Sequence, residues 1–441
     1  MKKKIHVSRR DFIQTTLATG AFISARRSLA STLPTARLNF AVIGVGGIGA
    51  STAALAAESG QIVAICDVDG KQLEKSRSLY SSARLFTDFR EILPAMSDGV
   101  DAVFICTPNH THATIAAEFI RASKHVFCEK PLAHTFIEGR KLVSLSEEKE
   151  IVTTMNLQGT LNNGFTSLLN LLQQGEIGHV DEIHVWSNRP VWPTGMVEYP
   201  SSEPVPSDLD WSGFLGPCND PIGYSSGIHP FQWRGYTSFG DGALGDMGPH
   251  MLVLPLLAFD LRNPVRIRSE KDSLAGISFP KSTRIDFEFE KTRKRDAIKL
   301  SWYDGRRTPS AHLFRGETIG SSGVLFVGRE GTLIVLDDYS SKGKVISKSG
   351  ATKVIEKQPS ESAGRENRLS SFVQSIVNPL AAVPIATFAE VAGPLNDLVS
   401  LGNISLRTQD ELRWDASASQ FLNHPDLNSL LHRDYRTGFN L

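Results

Sequence analysis

Leu38-Asn39-Phe40-Ala41-Val42-Ile43 runs directly into Gly44-Val45-Gly46-Gly47-Ile48-Gly49, and an Ala-rich stretch continues to residue 59. The order is strand, glycine turn, helix. In such a G-x-G-x-x-G turn the glycines allow a tight bend, close approach of backbone to a pyrophosphate, and close packing of helix on strand, with the anion at the helix N-terminus. Asp67 closes the next predicted strand, Gln61 to Cys66, about 20 residues after the turn, where a carboxylate can accept hydrogen bonds from both ribose hydroxyls. The competing reading is a turn kept for packing with Asp67 as a helix cap. The strand, turn, helix and acid together favour the dinucleotide. Val68 follows Asp67 and no Arg stands beside it to neutralise a 2′-phosphate, so NAD is expected rather than NADP.

Outward from this turn, short β-branched runs alternate with helical stretches, the pattern of βαβ units and a parallel sheet. Helices are expected over 71–78, 88–96 and 111–122, and strands over 84–86, 102–106, 125–128 and 151–155. The alternation ends near Asn156, which gives a dinucleotide-binding domain over 38–156 and a second domain over 157–441. The second domain begins with a helix over 165–174 and a strand over 180–187, followed by a long irregular stretch, 189–233. After a helix over 248–259, period-two runs at 282–289, 297–302, 324–327 and 332–335 predict a mainly antiparallel sheet, with further helices over 366–376 and 389–407. The fold class is α/β: an N-terminal Rossmann parallel sheet plus a C-terminal α+β domain with an open, mainly antiparallel sheet.

Two further motifs leave predicted strand ends, where ligands bind in open α/β sheets. Thr107-Pro108-Asn109-His110-Thr111-His112 follows the fourth strand and Cys128-Glu129-Lys130-Pro131 the fifth. Thr107, Pro108, Asn109, His112, Glu129 and Lys130 are therefore expected beside the cofactor, with Gly44, Gly46, Gly47, Ile48, Gly49 and Asp67. A Glu-Lys-Pro triplet alone is usually a surface turn. Here Pro131 stiffens a strand end that presents an ammonium. A third segment, Gly240-Asp241-Gly242-Ala243-Leu244-Gly245-Asp246-Met247-Gly248-Pro249-His250, predicts a helix starting near Met247, with Asp246 and His250 four residues apart on one face. A histidine beside a carboxylate is a candidate general acid/base. Asp246 as a simple N-cap is the plainer reading. A metal pair lacks a nearby third ligand, so no metal is expected.

Lys and Arg number 47 and so do Asp and Glu, giving a formal net charge of +0 that argues against a nucleic-acid binder led by a basic field. The four cysteines, Cys66, Cys106, Cys128 and Cys218, form no C-x-x-C pair. Residues 1–30 read as an export signal: a basic start, Ser8-Arg9-Arg10-Asp11-Phe12 of twin-arginine type, a mildly apolar stretch and Ser28-Leu29-Ala30, with 31–37 as a linker. A twin-arginine translocon is the implied partner in export, and the mature chain is expected in the periplasm, off the membrane, since no apolar run reaches about 18 residues.

Together these motifs resemble the glucose-fructose oxidoreductase and inositol dehydrogenase family, in particular its exported twin-arginine members. The resemblance extends to Leu209-Asp210-Trp211 with Leu215-Gly216-Pro217, Trp233-Arg234-Gly235, Trp302-Tyr303-Asp304-Gly305 and Leu401-Gly402-Asn403. It implies an NAD-dependent oxidoreductase acting on a hydroxyl of a sugar, polyol or glycoside, with Lys130, Asp246 and His250 as the catalytic group and the C-terminal sheet as the interface of a homo-oligomer. Gly245 stands where many members carry a bulkier residue before the aspartate. The aromatic loop 189–233 suits a carbohydrate, with His229, Trp233 and Arg234 as substrate-side candidates. Two alternatives share this site: an NAD-dependent glycoside hydrolase using transient oxidation, elimination and re-reduction, and a non-catalytic glycan-binding protein.

Overall fold

The computed structural model describes residues 37–160, 162–356, 366–378 and 384–441, so the expected export signal and nearly all of the linker lie outside the described residues. Six strands, β1 (Asn39–Ile43), β2 (Gln61–Cys66), β3 (Arg84–Phe86), β4 (Ala102–Ile105), β5 (His125–Cys128) and β6 (Thr153–Met155), form one parallel sheet in the order β3-β2-β1-β4-β5-β6. Their residues are apolar on both faces because both faces are covered. The intervening helices are α1 (Ile48–Ser59), α2 (Gly70–Leu79), α3 (Ile92–Met96), α4 (Asn109–Arg121) and α5 (Phe136–Glu148). Two glycines show why the first turn needs them. Gly44 has φ +82°, and a Cβ on Gly49 would stand 1.9 Å from the Gly44 carbonyl oxygen.

The second sheet has ten strands in the order β14-β13-β12-β11-β7-β10-β9-β8-β15-β16. They are β7 (Val180–Trp186), β8 (Arg266–Lys271), β9 (Thr283–Phe289), β10 (Ile298–Tyr303), β11 (Gly323–Gly328), β12 (Gly331–Val335), β13 (Gly343–Ser347), β14 (Thr352–Ile355), β15 (Leu412–Asp415) and β16 (Gln420–Phe421). Only β7 and β10 pair in parallel, so the sheet is mixed though mainly antiparallel. Alternation decides its two faces. Ile183, Val185, Ile285, Phe287, Leu300, Trp302, Val324 and Phe326 turn inward, while Trp186, Tyr303, Leu325 and Ile334 form a separate outer cluster under Phe314.

The inner face packs on helices α6 (Asn163–Gln173), α8 (Gly242–Phe259) and α10 (Gly393–Ser405); a short α7 (Trp211–Leu215) sits in the long loop, and α9 (Glu366–Val377) returns to the N-terminal sheet. There Phe372 meets Phe104 and Phe127 edge-on. One continuous core joins residues of both sheets.

Helix α8 begins at Gly242, five residues ahead of the expected start at Met247. Three glycines and Pro249 read as breakers, but tertiary packing overrides that propensity. A Cβ on Gly245 would meet the Asp241 side chain at 2.1 Å, and one on Gly242 the Phe279 ring at 2.8 Å. The lack of bulk is what admits the helix. By composition α8 is long and apolar enough to cross a membrane, with 18 residues and a mean hydropathy of 1.2, yet 78% of it is buried in the core.

The Trp302-Tyr303-Asp304-Gly305 motif has a structural meaning. Asp304 is buried and accepts hydrogen bonds from the Thr283 backbone N–H (2.8 Å), the Thr283 hydroxyl (2.8 Å) and the Trp302 indole (2.8 Å). Burial pushes its carboxyl up to about 6 against those donors. Removing the carboxylate orphans three buried donors, so Asp304→Ala should lower unfolding stability by about 2–4 kcal/mol. Denaturant unfolding with unchanged stability would overturn this reading.

Candidate active site

A cavity of about 600 Å³ runs along the carboxyl edge of the parallel sheet. The sheet order sets the order of its lining. Asp67, Asp69, Asp88 and Arg90 follow β2 and β3; Gly44, Gly46, Gly47 and Ile48 follow β1; Thr107, Pro108 and Asn109 follow β4; Glu129 and Lys130 follow β5. Gly49 and His112, also expected at the cofactor, stand behind this surface. Gly49 supplies close packing, as above. His112 is buried, with Nδ1 2.8 Å from the Pro131 carbonyl and Nε2 2.8 Å from the Thr107 carbonyl, so it braces the two strand-end loops against each other.

The residues present fit a dinucleotide. Helix α1 has no side chain capping its N-terminus at the glycine turn; the Gly49 N–H is taken by the Gly46 carbonyl at 2.9 Å, and Gly46, Gly47 and Ile48 line the cavity. Asp67 accepts from the backbone N–H of Val45 (2.8 Å) and of Asp69 (2.9 Å), which fixes its carboxylate at the cavity wall. Burial pushes its carboxyl above the ordinary range, and those N–H bonds partly offset the shift. Asp69 lies at the same end, and Asp88 there is paired with Arg90 at 2.6 Å. The end is bounded by Arg436 and Phe439 near the C-terminus, which no local pattern in the sequence had linked to it.

At the other end β5 meets α8. The Lys130 ammonium donates to the Asp246 backbone carbonyl (2.7 Å) and to its Oδ1 (2.9 Å). Arg189 Nε lies 3.5 Å from Asp246 Oδ2, and Arg234 Nε 3.9 Å from Oδ1. Burial opposes ionisation of Asp246, but Lys130, Arg234 and Arg189 hold its carboxyl below the usual range. Asp246, expected to orient His250, is thus found holding Lys130. The cause is the longer helix: Asp246 sits inside α8 with its carboxylate toward the end of β5, where an N-cap would have turned back on its own first turn. His250, one turn on, is buried and lines the cavity, its ring 5.2 Å from that of Tyr339. Arg189, Gln158 and Tyr339 are lining residues that the sequence reading missed; Arg189-Pro190 at the mouth of the long loop was the available signal.

The aromatic loop divides. Trp211, Phe214, Trp233 and Tyr236 join Leu209, Ile222 and Ile228 in a core of their own, with Tyr199 and Tyr224 packed against it. Trp192 is also buried. Packing therefore accounts for most of the rings expected to face a sugar. Phe214, Phe231, Trp233, His229 and Arg234 do line the cavity. Burial lowers the pKa of His229 and keeps that ring neutral. Among the described residues no cluster of three metal-ligating side chains occurs.

Residues 38–157 match the family model described as the oxidoreductase family's NAD-binding Rossmann fold, and residues 180–294 match that family's C-terminal alpha/beta domain. The inositol 2-dehydrogenase of Salmonella paratyphi B is 27% identical over 152 residues, which cover 33% of this chain and 45% of that protein. The myo-inositol 2-dehydrogenase of Thermotoga maritima is 25% identical over 158 residues, 35% of this chain and 47% of that protein. The chain thus matches about half the length of these curated relatives. Among solved structures, an inositol dehydrogenase homologue from Azotobacter vinelandii complexed with NADH and myo-inositol superposes with a TM-score of 0.60 at 16% identity, covering 86% of this chain and 98% of that one. The WlbA dehydrogenase of Bordetella pertussis, in complex with NADH and UDP-GlcNAcA, gives 0.60 at 16% identity, covering 86% and 99%. These superpositions establish a shared fold.

Loss of the Asp67 carboxylate removes a charged acceptor at the ribose end, so Asp67→Ala should weaken NAD binding about tenfold to a hundredfold and narrow the gap to NADP. Calorimetry with both nucleotides measures this; an unchanged NAD affinity would remove Asp67 from the site.

Proposed function

Because this chain belongs to the GFO/IDH/MocA oxidoreductase family, with that family's NAD-binding Rossmann domain, we propose that it is an NAD-dependent oxidoreductase acting on a hydroxyl of a sugar, polyol or glycoside. The observation that carries this reading is the Lys130–Asp246 contact at one end of the cavity that starts at the glycine turn. An ammonium has three N–H donors. Two are spent on Asp246, which leaves one for a ligand in the cavity that Lys130 lines. There Lys130 would hydrogen-bond the carbinol oxygen of the substrate and stabilise the charge that builds on it. His250, on the same wall, would take the hydroxyl proton. Bound NAD would supply the hydride acceptor. Asp246 positions Lys130.

Removing either partner of the reacting carbon should be costly. Lys130→Met and His250→Ala are each expected to lower turnover by at least about a hundredfold while NAD binding survives. Stoichiometry decides the outcome of the chemistry. With aryl glycosides and free sugars, NADH formed one-for-one with a keto-sugar is the expected result. Aglycone released over many turnovers without net NADH would assign the glycoside-cleaving route, which shares the first step. Binding of sugars without any change in nicotinamide absorbance would mark a glycan-binding protein.

The reading includes export. A cofactor loaded in the cytoplasm suits a route that carries folded proteins to the periplasm, and the paired Arg9 and Arg10 are read by a receptor rather than as bulk charge. Replacing both with lysine should strand the protein in the cytoplasm. Undiminished periplasmic accumulation of that variant would refute the export route.

A further inference from the structure

The substrate end of the cavity holds more guanidinium than its own carboxylates engage. Arg234 lies on the turn Gln232–Gly235 and is clamped between two rings, its guanidinium carbon 4.6 Å from the Phe231 centroid and 4.3 Å from the Trp233 centroid. Its side chain is only 25% exposed. Of its five N–H donors, one is satisfied by the Phe231 carbonyl at 3.1 Å, the single side-chain hydrogen bond it makes among the described residues. Burial lowers its pKa, and the Asp246 carboxylate, 3.9 Å away, opposes that shift.

Arg189, just beyond β7, is similar. Its Nη1 donates to Asn188 Oδ1, and its Nε approaches Asp246 Oδ2 at 3.5 Å. The nearest carboxylate to both arginines is therefore Asp246, whose Oδ1 already accepts from Lys130 at 2.9 Å. The other two carboxylates on this part of the wall face elsewhere. Glu129 accepts from the Asn156 side chain, and Asp241 Oδ1 lies 3.2 Å from His134 Nδ1. Glu129 acts on Arg234 through space only.

Both guanidiniums line the cavity, so their unspent donors are open to water or to a ligand that displaces it. A neutral polyol offers single hydroxyl acceptors. A planar oxoanion offers two oxygens to the guanidinium fork and also neutralises its charge. We propose that Arg234, assisted by Arg189, is a specificity-determining pair that receives an oxoanionic substituent of the substrate, a sugar carboxylate as in a uronic acid or uronoside. This deepens the reading given under Proposed function and rests on it for the position of the reacting hydroxyl. Arg234 is preformed by its two rings, so the anion meets a fixed donor set and Lys130 is left free for the carbinol oxygen.

The test uses the NAD-loaded full chain. Calorimetry and nicotinamide absorbance are followed with D-glucuronate, D-galacturonate and their methyl glycosides, each against its neutral parent sugar, and against the sulfate esters of those sugars. At least about a tenfold preference for a uronate over its neutral parent is expected. Arg234→Met should erase most of that preference, acting on the KM or Kd for the uronate more than on kcat, and Arg234→Lys should restore only part because it keeps charge without the fork. NAD binding by each variant serves as the folding check. Should Arg234→Met fail it, Arg189→Met and the preference of the unaltered protein still decide. A sulfated sugar preferred over the uronate supports the oxoanion site and reassigns its source. A uronate that binds through Arg234 with a static nicotinamide spectrum supports the pair while overturning the oxidoreductase reading. Neutral sugars bound or oxidised as well as every charged counterpart, or no binding of any oxoanionic sugar, overturn the pair.

Discussion

The contact between Lys130 and Asp246 is the constraint on which the site depends, because it ties the end of strand β5 in one sheet to a helix buried under the other. Both side chains are mostly shielded from water, at 18% and 16% exposure. Such a pair adds little net stability, since desolvating two charges offsets most of their attraction. Its consequence is registry. If α8 slid or rotated by one residue, a charge would be left unpaired in a place where that is expensive. The geometry at the reacting carbon is thus held by the penalty for breaking it.

Several other contacts hold the two partners of this pair in place. His112 links the loop after β4 to the loop after β5. Asn396 on α10 accepts from the Ala133 backbone N–H at 2.9 Å and donates to the Thr135 carbonyl at 3.0 Å, fixing the segment just after Lys130-Pro131. Asn403, also on α10, donates to the Asp241 carbonyl at 3.1 Å, at the start of α8. One helix therefore locates both the strand end that carries Lys130 and the helix that carries Asp246. The short motif Leu401-Gly402-Asn403 belongs to this support, and a Cβ on Gly402 would meet the Leu244 side chain at 2.6 Å.

What could be read in the sequence was what is local. The glycine turn, Asp67 and the two strand-end motifs each lie within a few residues of a strand whose apolar run announces it, and their side chains need only the sheet order to converge. Helix α8 was misread at its start because glycine and proline were weighed by intrinsic cost, while its first turns are set by Phe279 and the Asp241 side chain from outside the window. Arg189, Tyr339 and Arg436 escaped because each reaches the cavity through a sheet or a chain end that periodicity cannot position. The aromatic loop misled in a different way. Large rings in an irregular segment have to make a core before they can make a surface, and most of these do the former.

The Asp67 end of the cavity is closed by contacts from the C-terminal segment. Arg433 pairs with Glu138 at 2.8 Å and donates to the His110 carbonyl, and Tyr435 donates to the same Glu138 oxygen at 2.8 Å. Glu138 also completes the capping box of α5 with Thr135, so the chain end is fastened to a rigid helix terminus. Further on, Arg436 donates to the Ser212 carbonyl at 2.7 Å and Arg90 to the Gly438 carbonyl at 3.2 Å, with the Phe439 ring against both guanidiniums. These anchors are of two kinds: Glu138 and His110 are buried, while the Arg436 and Arg90 contacts are exposed. Apolar packing adds to them, since Leu427, Leu431 and Phe439 of the same segment are buried. The ribose end, like the reacting end, is thus held in part by buried charge: Glu138 is 1% exposed, and breaking its contact with Arg433 would leave a buried carboxylate without that counter-charge.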